Sequence, residues 1–411
     1  MQIQLADFLR DTPEGRQAQD ILGKCVHCGF CTATCPTYQL VNDELDGPRG
    51  RIYLIKEVLE GRPAGAITQR HLDRCLSCRS CESTCPSGVQ YGQLLEIGRN
   101  VVAAQVPRAR GQRTVRWLAR ELLSRTAVFG VALRAARLLR PLLPGKLRQR
   151  VPPAQAAGDW PVARHPRRLL ALGGCVQPSI DPGIDRAAAR VLDALGISLL
   201  PPSRNGCCGA VRLHLDDPQG AQRQARANID AWWPDIESGR VEGVVLTASA
   251  CGLQVKEYGH LLQHDPQYAA KAQRISAQAR DISEVLYAEA GALSALLQAR
   301  PPAGQALAWH APCTLQHGQG IRNTVEQLLQ AAGYRLTPVA AGHLCCGSAG
   351  TYSIFQPQLS AALRADKLAA LQADGPALIA SGNLGCMLHL QAGTHLPVRH
   401  WITLIDARLA A

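Results

Sequence analysis

Two stretches with the same cysteine spacing limit what this chain can fold into. The first is Cys25-Val26-His27-Cys28-Gly29-Phe30-Cys31-Thr32-Ala33-Thr34-Cys35-Pro36. Fifty residues later comes Cys75-Leu76-Ser77-Cys78-Arg79-Ser80-Cys81-Glu82-Ser83-Thr84-Cys85-Pro86. Each reads C-x2-C-x2-C-x3-C-P. Three cysteines at three-residue intervals let a tight loop offer a thiolate to three irons of one [4Fe–4S] cube, and the fourth, already in the next segment, reaches the neighbouring cluster. The spacing predicts Cys25, Cys28, Cys31 and Cys85 around one [4Fe–4S] cluster, and Cys75, Cys78, Cys81 and Cys35 around the other. The proline after each fourth cysteine lacks an N–H and has a fixed φ, which suits a chain leaving the loop. Structural zinc takes cysteines in two pairs, and a third cysteine plus C-P adds nothing to a tetrahedron. Eight crowded cysteines make a poor disulfide framework, and a reducing compartment disfavours one.

The chain has 411 residues, enough for two or three domains, and 46% are hydrophobic, so it is globular. Residues 1–16 show no basic stretch followed by an apolar one, so no signal peptide is expected. No apolar run approaches the ~20 residues that span a bilayer. The expectation is a soluble or peripheral protein in a reducing compartment. Of the net charge of +12, the segment 108–150 carries +11, with eleven Arg and Lys146 against Glu121 alone. Its pattern reads as amphipathic helices: Val115, Leu118 and Leu122 on one side, Arg113, Arg116 and Arg120 on others, then Val131, Leu138 and Leu139 with Arg134, Arg137 and Arg140. Such a stripe can lie on an anionic membrane or dock on an acidic partner, and a solvated connector is the plainer alternative. Few aromatics and no reader motif argue against nucleic acid.

Residues 1–24 read as a helical lead-in, and a helix is expected over about 52–60, ended by Gly61-Arg62-Pro63. His27, inside a cluster loop, reads as a surface histidine before it reads as a donor to sulfur. The Pro/Ala-rich stretch 151–166 reads as a linker. An internal repeat follows. A strand over 168–172 runs into Gly173-Gly174-Cys175, then come a helix over about 185–195, a strand, and Asn205-Gly206-Cys207-Cys208-Gly209. The second copy has a strand over 306–309, Ala311-Pro312-Cys313, a helix over about 324–331, a strand, and His343-Leu344-Cys345-Cys346-Gly347. The first cysteine precedes the vicinal pair by 32 residues in both copies. Each copy then has a strand ending at a further cysteine, 244–246 to Cys251 and 378–380 to Cys386. Strands alternating with helices predict a mainly parallel sheet in each copy, with the cysteines off the carboxyl ends of the strands, where such sheets bind ligands.

Four thiols per copy allow three readings: a further iron–sulfur cluster, thiol–disulfide redox at a vicinal pair, or buried cysteines used as small apolar residues. The repeated spacing favours the first. Trp232 and Trp233 read as core or interface packing.

Tandem C…C-C-G…C units resemble the cysteine-rich CCG domain of heterodisulfide reductase-like proteins. Joined to a two-cluster ferredoxin-type head, they resemble the iron–sulfur subunits of respiratory 2-hydroxyacid and glycerol-3-phosphate dehydrogenases. The stretches CVHCGFCTATCPTYQL, DELDGPRGRIYLIK, NIDAWWP, VKEYG, LCCGSAGTY and VRHWI resemble in particular the iron–sulfur subunits of bacterial glycolate oxidases (glycolate dehydrogenases). The resemblance implies an α+β/α/β multidomain chain: a mainly helical two-[4Fe–4S] head over 1–105, a basic helical connector over 106–166, and CCG repeats with parallel sheets over 167–300 and 301–411. It implies FAD-containing partner subunits that oxidise glycolate, or D-lactate, with this chain relaying electrons to a respiratory acceptor such as quinone. The place implied is the cytoplasm, peripheral to the inner membrane. In agreement, the chain has no G-x-G-x-x-G fingerprint after a strand and no flavin motif, so FAD belongs on the partner. An anaerobic glycerol-3-phosphate dehydrogenase subunit and a thiol–disulfide reductase are the alternatives. In the fullest CCG pattern each half ends in C-x2-C; here Gln254 follows Cys251 and His389 follows Cys386 at that spacing. His389 is thus a candidate ligand or an ordinary histidine. The lost fifth cysteines leave open whether Cys175, Cys207, Cys208 and Cys251, and Cys313, Cys345, Cys346 and Cys386, hold clusters.

Overall fold

The computed structural model describes residues 2–142, 144–145, 148, 151–202 and 206–410. The end of the basic segment, with Lys146 and Arg150, and Asn205 of the first CCG loop lie outside the described residues.

The head is built from helices around the two cysteine loops. Pro48 opens the helix Pro48–Leu59, earlier than the expected start, because proline at a first helical position loses no hydrogen bond there. Ile52, Ile55, Val58 and Leu59 of that helix are buried. They meet the helix Tyr91–Gln105, whose Leu94, Leu95 and Val102 are likewise buried. Gly98 lets the two helices close, since a Cβ there would lie 2.6 Å from Ile55.

Each CCG unit has a four-stranded, all-parallel sheet. The first comprises β1 (Arg167–Ala171), β2 (Ile197–Leu200), β3 (Val244–Leu246) and β4 (Ala279–Asp281), in the order β2-β1-β3-β4. The second comprises β5 (Ala306–His310), β6 (Arg335–Thr337), β7 (Leu378–Ser381) and β8 (Val398–His400), in the order β6-β5-β7-β8. The central strands β3 and β7 are buried throughout, which explains their unbroken apolar runs. Sequence reading missed β4 and β8. Both have three residues, alternate buried and exposed, and carry a charged middle residue, Arg280 or Arg399, so neither makes an apolar run.

One core is shared by both units. The helix Gly183–Ala194 packs on Trp401–Ala410, and Arg190 Nε lies 2.9 Å from Asp406 Oδ1 across that seam. His400 Nε2–H donates to Thr247 O at 2.9 Å. The stretch read as a linker lies against β2: Trp160 Nε1–H donates to Leu199 O at 2.7 Å, and the Arg164 and His165 amides donate to Ser198 Oγ. It thereby covers a sheet edge that would otherwise stand open.

The connector forms the helices Arg110–Ser124 and Thr126–Leu138, as the pattern predicts. Part of its charge is used internally. Arg108 pairs with Asp73 of the head and Asp216 of the first CCG unit, and Arg116 also pairs with Asp216. Arg120 reaches Asp217, while Glu121 takes Arg125 and Arg212. Arg110, Arg113 and Arg134 are exposed and have no acidic partner among the described residues.

Candidate iron–sulfur centres

Both head loops curl by the same backbone device. The residues flanking the second cysteine adopt positive φ: His27 (56°) and Gly29 (84°) in one loop, Ser77 (52°) and Arg79 (60°) in the other. Left-handed conformations at three non-glycine residues are costly and persist where surroundings enforce them. The result is a cup of sulfurs. One cavity is lined by Cys25, Cys28, Cys31 and Cys85, with Phe30 and Ile52. A second is lined by Cys35, Cys75, Cys78 and Cys81, with Arg51 and Leu76. Cys81 also borders the first cavity. The first three cysteines of each loop thus share a cavity with the fourth cysteine of the other.

Burial, together with the neighbouring Cys25, Cys28 and Cys85, pushes the Cys31 thiol up to about 11. Burial and the proximity of Cys313 and Cys35 push Cys78 up as well. Thiols held this way stay protonated unless a metal takes the proton's place, so the donor set suits a thiophilic metal cluster. Donors point at the sulfurs. The Ser77 amide donates to Cys75 Sγ at 3.4 Å, Tyr91 OH donates to the same sulfur at 3.6 Å, and Thr37 Oγ1 lies 3.3 Å from Cys35 Sγ. Arg51, 1% exposed, lies beneath this second site, with Nη1 3.2 Å from Thr37 Oγ1. Burial opposes its charge, but Cys75, Tyr91, Cys35 and Asp46 hold the guanidinium above its ordinary value. His27 is half-buried, its ring edge-on to Tyr53 and its Nε2 without a hydrogen-bond partner among the described residues.

In each CCG unit the four cysteines converge at the carboxyl ends of three strands, over the point where strand order switches direction. Cys175 follows β1 and Cys207-Cys208 follow β2. Cys251 lies in the first turn of the helix Ser249–Lys256, one step beyond the strand end where the sequence places it; Cys386 has the same place in Leu384–Gln391. Gly209 (φ 98°) and Gly347 (φ 86°) turn the chain after the vicinal pairs, and their amides donate to Cys207 Sγ and Cys345 Sγ, both at 3.4 Å.

The two units differ in charge. Hydrogen bonds from Cys175 and Cys208 hold Cys207 well below its usual range despite burial, with help from the Gly209 amide and Arg212. In the second unit the counterpart, Cys345, is raised instead: a hydrogen bond from Cys313 lowers it, but a hydrogen bond to Cys346 and burial push it up. Cys313 is raised as Cys175 is. Cys346 is also raised. Lys367 is buried there, donating to Ala341 O at 3.0 Å; burial pulls its ammonium down while the four cysteines hold it up. Under the first site, Tyr258 OH donates to Cys208 O at 2.9 Å, and Trp232 stacks on Tyr258 in the core. Gln254 is buried, and His389 Nε2 faces Ser360, 3.2 Å from Oγ and 3.3 Å from O. Sequence reading passed over His310, whose ring atoms lie with Cys346 and Cys386. Its only signal was a histidine three residues ahead of Cys313.

The second head loop wedges between the two CCG units. Leu76 and Cys78 of that loop pack with Cys313, Cys345 and Tyr352 of the second unit. Ser83 Oγ–H donates to His317 Nδ1 at 2.8 Å, and His317 Nε2–H donates to His343 O.

Comparison with known proteins agrees with this layout. The 4Fe-4S dicluster domain family matches residues 21–89, and the cysteine-rich domain family matches residues 170–256 and 307–391. The glycolate oxidase iron-sulfur subunit of Escherichia coli (strain K12) is 48% identical over 410 residues, covering 100% of this chain and 99% of its own length. The chain belongs to the glycolate oxidase iron–sulfur subunit family. A second member, the probable glycolate oxidase iron-sulfur subunit of Bacillus subtilis (strain 168), is 30% identical and covers 92% of this chain and 90% of its own. Lactate utilization protein A of Bacillus velezensis is 24% identical over 219 residues, 53% of this chain. The chain is thus an iron–sulfur protein of the kind that transfers electrons.

Proposed function

We propose that this chain relays electrons from a partner FAD subunit that oxidises glycolate, or D-lactate, to glyoxylate or the matching keto acid, and passes them toward a respiratory acceptor such as quinone. The observation that carries it is the packing of the second head site on the second CCG site, with Leu76 and Cys78 set against Cys313, Cys345 and Tyr352. A flavin gives up two electrons and clusters carry one each, so a row of adjacent centres splits the pair. We assign Cys25, Cys28, Cys31 and Cys85 to one [4Fe–4S] cluster, and Cys75, Cys78, Cys81 and Cys35 to the other. Cys175, Cys207, Cys208 and Cys251, and Cys313, Cys345, Cys346 and Cys386, are assigned to further centres. The working division is a head over 1–105, a connector over 106–166, and CCG units over 167–300 and 301–411. Cys28 is exposed between Val26 and Phe30, both more than half exposed, which makes the first head site the port to the flavin partner.

The outward face of the connector supports contact with the inner-membrane surface from the cytoplasmic side. Val115, Trp117, Leu118, Val131 and Leu138 are exposed there alongside Arg110, Arg113 and Arg134. Among the described residues no helix is long and apolar enough to cross a membrane. Thr126 Oγ1–H donates to Gly174 O, next to Cys175, so the inner side of the connector sits beside the first CCG site.

The deciding measurement is iron and acid-labile sulfide on anaerobically purified protein, with low-temperature EPR before and after dithionite. About eight irons with a spin-coupled reduced signal mark the two head clusters. Iron above eight that is lost on mutating Cys207 and Cys345 marks centres in the CCG units. Fewer than eight irons with bound zinc would overturn the relay. A second reading, thiol–disulfide chemistry, is favoured at Cys207 alone by its lowered thiol. It requires disulfide reduction by the isolated chain that Cys207→Ser abolishes.

A further inference from the structure

The second CCG site contains a fifth donor that its cysteine pattern does not announce. His310 ends β5, three residues before Cys313, and is 2% exposed. Its Nδ1 lies 3.0 Å from Oγ of Ser381, which is itself fully buried. Its Nε2 is buried and has no hydrogen-bond partner among the described residues. One ring nitrogen of His310 and the sulfurs of Cys346 and Cys386 all lie within 4.8 Å of one another. A polar nitrogen sealed from water without a partner is costly and uncommon in a folded protein. Metal-bound histidines show this same arrangement, one ring nitrogen held by a hydrogen bond and the other turned to the metal.

The first unit lacks this donor. Leu172 stands three residues before Cys175, where the second unit has His310. Gln254 and His389 occupy the positions of the missing fifth cysteines, but His389 is turned to Ser360. The imidazole that reaches the thiols therefore comes from the strand end and not from the helix.

We propose that His310 Nε2 is a direct ligand of the metal centre in the second CCG unit, making its donor set four cysteine thiolates and one imidazole. The assignment rests on the reading of that unit as a metal site. It makes the two units chemically distinct, one all-sulfur and one mixed. The imidazole is neutral and is added to four cysteines rather than replacing one, so the two centres differ in donor type and not in thiolate charge.

The test uses the full chain, grown with natural or 15N-labelled histidine and examined by pulsed EPR, reduced and oxidised. The expected result is a strongly coupled 14N that becomes 15N with the label. It should belong to the signal that Cys345→Ser removes, and it should vanish in His310→Gln. The labelled wild type needs no mutation, so a folding defect in His310→Gln does not decide the matter. As a second variant, Ser381→Ala keeps the imidazole but frees its other nitrogen, and it should alter the nitrogen coupling without removing iron. Iron lost in Cys345→Ser with no strongly coupled nitrogen in either redox state overturns the ligation and leaves the centre standing. Unchanged iron in Cys345→Ser shows that the unit holds none, and overturns both.

Discussion

Arg79 and Glu257 form a two-pronged ion pair, with Nη2 2.9 Å from Oε2, that ties the second cysteine loop of the head to the first CCG unit. Arg79 lies between Cys78 and Cys81, so the pair holds a cluster loop against a neighbouring domain. Three carboxylates, Glu82, Glu96 and Glu257, share this one guanidinium; burial, then the charge of Glu257, pushes Glu96 up to about 7. Arg79→Met should therefore cost about 2 kcal/mol, typical of losing charge-assisted hydrogen bonds. A double-mutant cycle with Glu257→Gln, read by thermal unfolding, should return a coupling of about 1–3 kcal/mol. Additive effects would show that the pair does not hold the loop.

The relay predicts a split between chemistry and transfer. Cys28→Ser or Cys78→Ser should reduce glycolate-dependent electron flow to the distal acceptor to background. Reduction of the partner's flavin by substrate should survive in both. Stopped-flow flavin absorbance beside quinone turnover reads the two steps separately, and normal quinone turnover in either variant would sink the assignment.

The head should be acid-labile through Asp46. Its carboxylate is fully buried; burial opposes the charge, but His71, Arg74 and Arg51 hold it below its usual range. A lowered folded value adds stability that is present at neutral pH and lost as pH falls from ~4 through that value. Asp46→Asn should cost roughly 3 kcal/mol at pH 7 by leaving buried Arg51 unpaired, and should flatten the acid limb of the stability curve. Denaturant midpoints between pH 3 and 7 check both.

Glycine after the second vicinal pair has little freedom to change. A Cβ at Gly347 would lie 2.7 Å from Ser360 O, on a backbone with φ 86°. The left-handed conformation alone costs about 1–2 kcal/mol for alanine, and the clash adds to it. At Gly209 the nearest atom would be 3.2 Å away. Gly347→Ala should therefore lower the melting temperature and the iron content more than Gly209→Ala. Equal losses would mean that conformation alone decides.

If the connector lies on a membrane, its unpaired arginines should matter and its paired ones should not. Each arginine near an anionic surface contributes about 1 kcal/mol. Arg113→Gln with Arg134→Gln should thus weaken partition onto vesicles containing phosphatidylserine about 30-fold. Iron content should be unchanged. Sedimentation with neutral and anionic vesicles measures this; equal binding before and after would remove the lipid contact.

The spacing along the chain was enough to show that the first three cysteines of each head loop face one another, because the C-x2-C-x2-C run places them through local backbone geometry; that Cys35 and Cys85 each meet the other loop is a tertiary arrangement. The sequence by itself also showed the two parallel units, since β3 and β7 are buried throughout and β1 and β5 over their last three and four residues, and so they appear as apolar runs. The three-residue strands β4 and β8 stayed hidden, because in each the buried residues alternate with an exposed, charged centre, Arg280 or Arg399. Local pattern also overstated the free charge of the connector: Arg108, Arg116 and Arg120 find Asp73, Asp216 and Asp217 only through folding. Tertiary structure alone decided which histidine meets the second CCG thiols. His389 has the sequence spacing but faces Ser360, whereas His310 has the position. The reason is that a side chain's neighbours across a sheet depend on strand register, here His310 beside Ser381, and no spacing along the chain encodes that pairing.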